Sequence, residues 1–224
     1  MIYNIFIFVI KYNFPVFKVK GVIFDLDGTL ANTALIHKDA WEKALDRLGI
    51  KIDVKIDNLL GRKSSDIAKL LAPNNWSKLI EVKNEMYIEL VKEKASPTPC
   101  ALDLLSHLRK KEIKTAIVTS SNKLSSGSVL KKLGITSDVV LTGDDVINSK
   151  PNPEGINKAL NLLYLDGRDV IGVGDTEVDV EAYYKAGLGG IYLVKSGVPF
   201  REEVVKMYGG IIISSLCELL ELIS

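Results

Sequence analysis

Two carboxylates, Asp25 and Asp27, close the apolar run in Val22-Ile-Phe-Asp-Leu-Asp-Gly-Thr-Leu30. Side chains two apart on an extended chain point the same way, so both acids can face one spot. Paired acids repel, and a divalent cation relieves the repulsion; oxygen-rich surroundings favour Mg²⁺. Asp27-Gly28 is also a common turn pair, the plainer alternative. A second acidic stretch, Gly174-Asp175-Thr-Glu-Val-Asp179, follows the apolar run 170–173 and adds two carboxylates one helical turn apart. Asp175 has the alternative of capping the helix expected from residue 178. Thr119-Ser-Ser-Asn122 follows another apolar run and leads into a helix, so its hydroxyls and backbone N–H groups make either an anion site or a plain cap. Lys150-Pro151 supplies a positive charge in a loop. Nucleophile, proton donor, metal acids and cationic clamp together compose a phosphoryl-transfer site.

These groups need a scaffold that brings them to one edge. Short apolar runs alternate with helical patterns from Gly21 onward, with strands expected at 22–24, 115–119, 139–141, 170–173, 190–194 and 211–213. Helices are expected at 34–48, 65–71, 77–93, 101–111, 123–133, 153–164, 178–186 and 215–222. Strands alternating with helices predict an α/β, Rossmann-like parallel sheet covered on both faces, with ligands at the C-terminal strand ends. Residues 32–96 break the rhythm, being mostly helical up to the breaker Ser96-Pro97-Thr98-Pro99. They read as a helical cap inserted into a core of 1–31 and 97–224, in which 1–20 form an N-terminal extension. That extension starts with an apolar stretch of about half the roughly 20 residues a membrane helix needs. It lacks the basic start and small-residue cleavage site of a signal peptide, and its β-branched and aromatic content suits a strand or a hairpin turning near Asn13-Phe14-Pro15.

The chain has 224 residues, 47% of them apolar, with 29 Lys+Arg against 28 Asp+Glu. That balance excludes a disordered chain and gives no electrostatic reason to expect nucleic acid or an anionic membrane as partner. Cys100 and Cys217 are too few for a disulfide framework or a Cys-x-x-Cys zinc site, and a reducing cytoplasm is the expected compartment. Gln is absent while Ile and Lys are plentiful, a thermophile-like composition.

Asp25-Leu-Asp-Gly-Thr-Leu, Thr119, Lys150-Pro151 and Gly174-Asp175-x-x-x-Asp179 resemble the four motifs of the haloacid dehalogenase superfamily. The helical segment between the first and second motifs resembles the phosphoglycolate phosphatase and β-phosphoglucomutase branch, as does Asn32-Thr33-Ala…His37…Ala40-Trp41. The resemblance implies that Asp25 attacks phosphorus and that Asp27 protonates the leaving oxygen and later activates water. It implies Mg²⁺ held by the Asp25 carboxylate, the Asp27 backbone carbonyl and Asp175, with Asp179 on the metal or one of its waters. Thr119, the Ser120 amide and Lys150 would hold phosphoryl oxygens, with Ser121 a weaker candidate for the same task.

In the cap, Arg62 in Gly61-Arg-Lys-Ser-Ser65 sits in a Gly-led turn that either faces substrate or is simply solvated. Lys83 resembles a lysine that meets the distal group of phosphosugars, although a lone lysine on such a helix is more often solvated. His37 reads first as a packed or hinge histidine and Trp41 as core. The expected activity is a Mg²⁺-dependent phosphatase of a small phosphate monoester, phosphoglycolate or phosphosugar, acting as a monomer or weak homodimer. The alternative is a β-phosphoglucomutase-like mutase, against which Gly174-Asp175 stands where mutases place two adjacent acids. Dehalogenases lack the second acid, and a non-catalytic descendant would carry a damaged motif. The departures Thr119-Ser-Ser, for Thr-Asn-Lys, and Pro99-Cys100, for Pro-Gly, leave phosphoglycolate one candidate among several.

Overall fold

The computed structural model describes residues 19–223. Its sheet comprises β1 (Gly21–Phe24), β2 (Lys114–Val118), β3 (Val139–Leu141), β4 (Val170–Gly174), β5 (Gly190–Val194) and β6 (Ile211–Ile213). All neighbours are parallel, in the order β3-β2-β1-β4-β5-β6. β1, β4 and β5 are buried along their whole length, as parallel strands covered on both faces must be.

Pleating divides each strand between two cores. Val22 and Phe24 pack with Leu104 and Leu108 of α4 (Ala101–Lys110), Val129 of α5 (Lys123–Leu133) and Leu216 of α9 (Leu216–Ile223). Ile23, between them in sequence, packs on the other face with Ile156 of α6 (Glu154–Leu163), Tyr183 of α7 (Glu177–Lys185) and Val205 of α8 (Glu202–Met207).

Between β1 and α4 the chain leaves the sheet for α1 (Ala34–Arg47), a 3-10 turn (Ile56–Leu59), α2 (Ser64–Leu71) and α3 (Trp76–Lys94). This insert has an apolar cluster of its own around Trp41, Leu45, Ile67, Leu79 and Val82. Its two connections run side by side. The Asn32 N–H donates to the Ser96 carbonyl at 2.8 Å, Ala31 bridges Pro97, and the Thr98 hydroxyl donates to the Thr29 carbonyl at 2.5 Å.

Elements end within two residues of the bounds read from the sequence, with three additions. α8 and the 3-10 turns at 56–59 and 167–169 are absent from the sequence reading because each is at most six residues long, too short to display a helical period. The expected hairpin near Asn13-Phe14-Pro15 lies outside the described residues. Among those described, no helix is long and apolar enough to cross a membrane.

The cysteines require a correction. Cys100 and Cys217, read as too few for a disulfide framework and expected in a reducing compartment, form a disulfide with their Cα atoms 5.1 Å apart. They are 117 positions apart in sequence, and only the packing of α4 against α9 brings them together.

Candidate active site

β1 and β4 are neighbours whose onward connections leave toward opposite sides of the sheet, which opens a crevice beyond their C-terminal ends. Asp25 follows β1 and Asp175 follows β4, so both carboxylates enter that crevice. The Asp25 N–H donates to the Val173 carbonyl at 2.8 Å, which ties the two strand ends together. Gly28, at φ +91°, makes the turn after Asp27. A Cβ there would stand 2.1 Å from Asp175 Oδ2, so only glycine lets the two loops close around the acids.

Asp25, Asp175 and Asp179 are buried and offer carboxylate oxygens within 4.8 Å of one another. Both Asp175 oxygens are buried without a hydrogen-bond donor. Burial, followed by the charges of Asp25 and Asp179, drives its pKa well above the ordinary carboxylate range. Burial likewise raises Asp25 to about 7, with Asp179 and Asp27 adding to the rise and Lys150 opposing it. Orphaned acceptors among like charges fit a hard divalent cation, whose charge reverses this logic. Mg²⁺ suits the donor set.

Asp179 occupies the third position of α7. Its Oδ2 accepts from the Thr176 N–H at 3.0 Å and from the Thr176 hydroxyl at 2.5 Å in a capping box. Thr176 therefore caps α7, and Asp175 is left free of that task. Asp179 Oδ1 accepts from Lys150 Nζ at 2.5 Å; the same ammonium donates to Asp25 Oδ1 at 2.5 Å and to the Val118 carbonyl at 3.0 Å. Burial alone would lower the Lys150 pKa, but Asp179 and Asp25 outweigh it and keep the lysine charged.

Asn122 caps α5 by accepting from the Ser125 N–H at 2.8 Å, so the preceding hydroxyls are spared that duty. Thr119 and Ser120 line the cavity beside Asp25, and the buried Ser120 hydroxyl has no partner. Ser121 lies differently from the expectation of a phosphate ligand. Its hydroxyl donates to Asp27 Oδ2 at 2.7 Å and is 3.1 Å from His37 Nε2.

Asp27 is the most heavily bonded acid of the group. Oδ1 accepts from the Thr33 hydroxyl at 2.6 Å and the Tyr87 hydroxyl at 2.8 Å, and His37 Nε2 is 3.2 Å away. Burial would raise its pKa, yet His37, Thr33 and Ser121 overcome this and hold it far below the ordinary carboxylate range. Thr33 stands at the N-cap of α1 without capping it, because its hydroxyl is committed to Asp27. Tyr87 was missed by sequence reasoning; its only signal was its position one helical turn after Lys83.

His37 is buried, stacks on Tyr87 with ring centroids 3.9 Å apart, and passes the contact onward through Nδ1, 2.9 Å from Lys83 Nζ. Lys83 is neither solvated nor among the cavity-lining residues. It is fully buried between the Trp41 and Tyr87 rings, and burial, opposed by the Asp27 charge, lowers it to about 8. Arg62 is exposed and lines the cavity. The cavity measures about 40 Å³. Gly61, at φ +83°, lies so close to Thr176 that a Cβ would meet its hydroxyl at 2.9 Å, which brings the insert down onto the β4 loop.

Fold and acidic cluster define an α/β protein with a candidate active site at the C-terminal edge of a parallel sheet. The model of the haloacid dehalogenase-like hydrolases matches residues 22–192, and the chain belongs to that family. It is 30% identical over 175 residues to a phosphoglycolate phosphatase of Aquifex aeolicus, covering 75% of this chain and 82% of that one. It is also 30% identical over 176 residues to a validoxylamine A 7'-phosphate phosphatase of Streptomyces hygroscopicus, covering 75% and 83%. Among solved structures, a hydrolase from Pseudomonas syringae superposes with a TM-score of 0.79 at 24% identity, covering 92% of this chain and 99% of that one.

Proposed function

We propose that the protein is a Mg²⁺-dependent phosphatase of a small phosphate monoester, of phosphoglycolate or phosphosugar type, working through an aspartyl-phosphate. The observation that carries this reading is the Asp175 carboxylate, buried without a donor beside Asp25 and Asp179, with a protonated Lys150 between the latter two. Similarity to chains named phosphatases supports it.

Asp25 attacks phosphorus, the bond from phosphorus to the leaving oxygen breaks, and an Asp27 proton goes to that oxygen. Water then attacks the aspartyl-phosphate, Asp27 takes its proton, and phosphate leaves with the Asp25 carboxylate restored. The resting Asp27 is held ionised, the form needed for the second half. To deliver a proton in the first half, it must leave part of its ring of donors. Asp25, the Asp27 carbonyl and Asp175 would hold Mg²⁺, with Asp179 beside it. When bound, the ion supplies charge neutralisation for the phosphoryl group and the nucleophile. Thr119, Ser120 and Lys150 bind the phosphoryl oxygens, and the insert of residues 32–96 acts as a cap over the leaving group, with Arg62 facing it.

The protein acts as a monomer or weak homodimer in the cytoplasm. A disulfide is compatible with that compartment in a hyperthermophile, which accords with the Gln-free, Ile- and Lys-rich composition.

The test is phosphate release from a panel containing phosphoglycolate and hexose phosphates, with Mg²⁺ and with EDTA. EDTA-sensitive release is expected, and Asp25→Asn should lose at least about a thousandfold in kcat while staying folded. Full activity of that variant would remove Asp25 as nucleophile. Conversion of β-glucose 1-phosphate to glucose 6-phosphate without phosphate release would give the mutase reading instead.

A further inference from the structure

The apolar cluster of the helical insert contains one buried residue from outside it among those described. Ala34, Trp41, Leu60, Ile67 and the rest lie within 34–82, whereas Val198 comes from the loop after β5. Val198 is 6% exposed and lines the same cavity as Asp25, Asp175, Trp41 and Ile67. The loop that carries it is fastened at both ends. The Lys195 N–H donates to the Ile213 carbonyl of β6 at 3.1 Å. At the far end, Arg201 donates to Glu177 of α7 through its backbone N–H at 2.7 Å and its guanidinium at 2.7 and 3.1 Å. Between these anchors Gly197 adopts φ +93°, and the Val198 N–H closes the turn on the Ser196 hydroxyl at 3.2 Å.

A sheet-borne loop tied to β6 and α7 thus carries a side chain into the insert's own core, at the wall of the reaction cavity. The cavity leaves about 40 Å³ to the centres of water-sized spheres, enough to seat a few waters at roughly 10–15 Å³ each, and Val198, Trp41 and Ile67 stand together on its wall, where a leaving group would meet them. We infer that Val198 is a specificity-determining residue: it is the apolar part of the wall supplied by the sheet domain, and its two methyl groups limit the size of the leaving group. The substrate class this selects is a monoester of a short alcohol, compact where it meets Trp41 and Ile67. The inference rests on the phosphatase reading for the reaction, but the shape of the wall can be measured separately.

The experiment compares wild type, Val198→Ala and Val198→Ile. The ratio of kcat/KM for phenyl phosphate to that for methyl phosphate is measured, together with the ratio of dissociation constants for phenylphosphonate and methylphosphonate, which do not turn over. Both ratios are independent of how much of each variant is folded. Val198→Ala should shift them about tenfold toward the phenyl compounds and Val198→Ile should shift them the other way, the scale expected of one or two methylenes in a tight pocket. Unchanged ratios in both variants would overturn the inference and leave Val198 a packing residue. A wild type without turnover, combined with shifted phosphonate ratios, would overturn the phosphatase reading and keep the role of Val198.

Discussion

Lys83 carries its ammonium where water does not reach, between two aromatic rings and against His37. Its proton is held less tightly in the fold, at about 8, than in the unfolded chain near 10.5. Below pH 8 both states are protonated and folding bears the full cost of burying the charge. Between pH 8 and 10.5 the unfolded chain keeps the proton that the fold has released, so stability from this residue rises with pH. Lys83→Met removes that dependence. Its stability relative to wild type should be greatest at pH 7 and decline by on the order of 3 kcal/mol by pH 10.5, read from denaturant midpoints across the range. A constant difference would mean that Lys83 stays charged in the fold. The same residue shows what spacing cannot tell: Lys83 in a polar-looking helix reads as solvated, and only Trp41, Tyr87 and His37 converging from two helices enclose it.

Between elements, the return connection from the insert is held by backbone and by sulfur. Cys100 takes a left-handed conformation, φ 62°, at the N-cap of α4, a place that costs an ordinary residue about 1–2 kcal/mol. Its disulfide to Cys217 joins the start of α4 to the last helix, α9, and closes about half of the chain into one loop. Cross-links over such long loops typically stabilise by about 2–5 kcal/mol. Cys217→Ser should therefore lower Tm by about 5–15 °C under non-reducing conditions, and reductant should shift wild type to match it. Equal melting temperatures for the two proteins without reductant would show that the cross-link adds no stability. Nothing in the sequence beyond two isolated cysteines announces this bond, because pairing requires knowing that α4 and α9 are neighbours.

Across the whole molecule, the acids at the strand ends set a cost that a cation relieves. Asp25, Asp175 and Asp179 are buried together with one lysine among them, and burial plus mutual repulsion raise Asp25 and Asp175. A cation bound by the fold and not by the unfolded chain adds stability by mass action, about 2.7 kcal/mol at a hundredfold excess over Kd. Mg²⁺ should accordingly raise Tm by about 5–10 °C over the EDTA-treated protein, and Asp175→Asn should blunt the rise. A melting temperature indifferent to Mg²⁺ would remove the metal from this acidic group.

The sheet, its parallel direction and the strand-end position of Asp25, Thr119 and Asp175 were determined by the sequence itself. Apolar runs of strand length, each followed by a polar turn and a helix, have one economical packing, and that packing gathers the turns at one edge. What each side chain does there was decided by tertiary structure. Asp179 divides its oxygens between Thr176 and Lys150, Ser121 turns to Asp27, Tyr87 reaches Asp27 from α3, and Val198 enters the insert's core. Each of these contacts joins residues on different elements or fixes a rotamer within one. Local periodicity is silent on both, since hydrogen bonds and close packing depend on distances of a few tenths of an ångström that only the assembled chain sets.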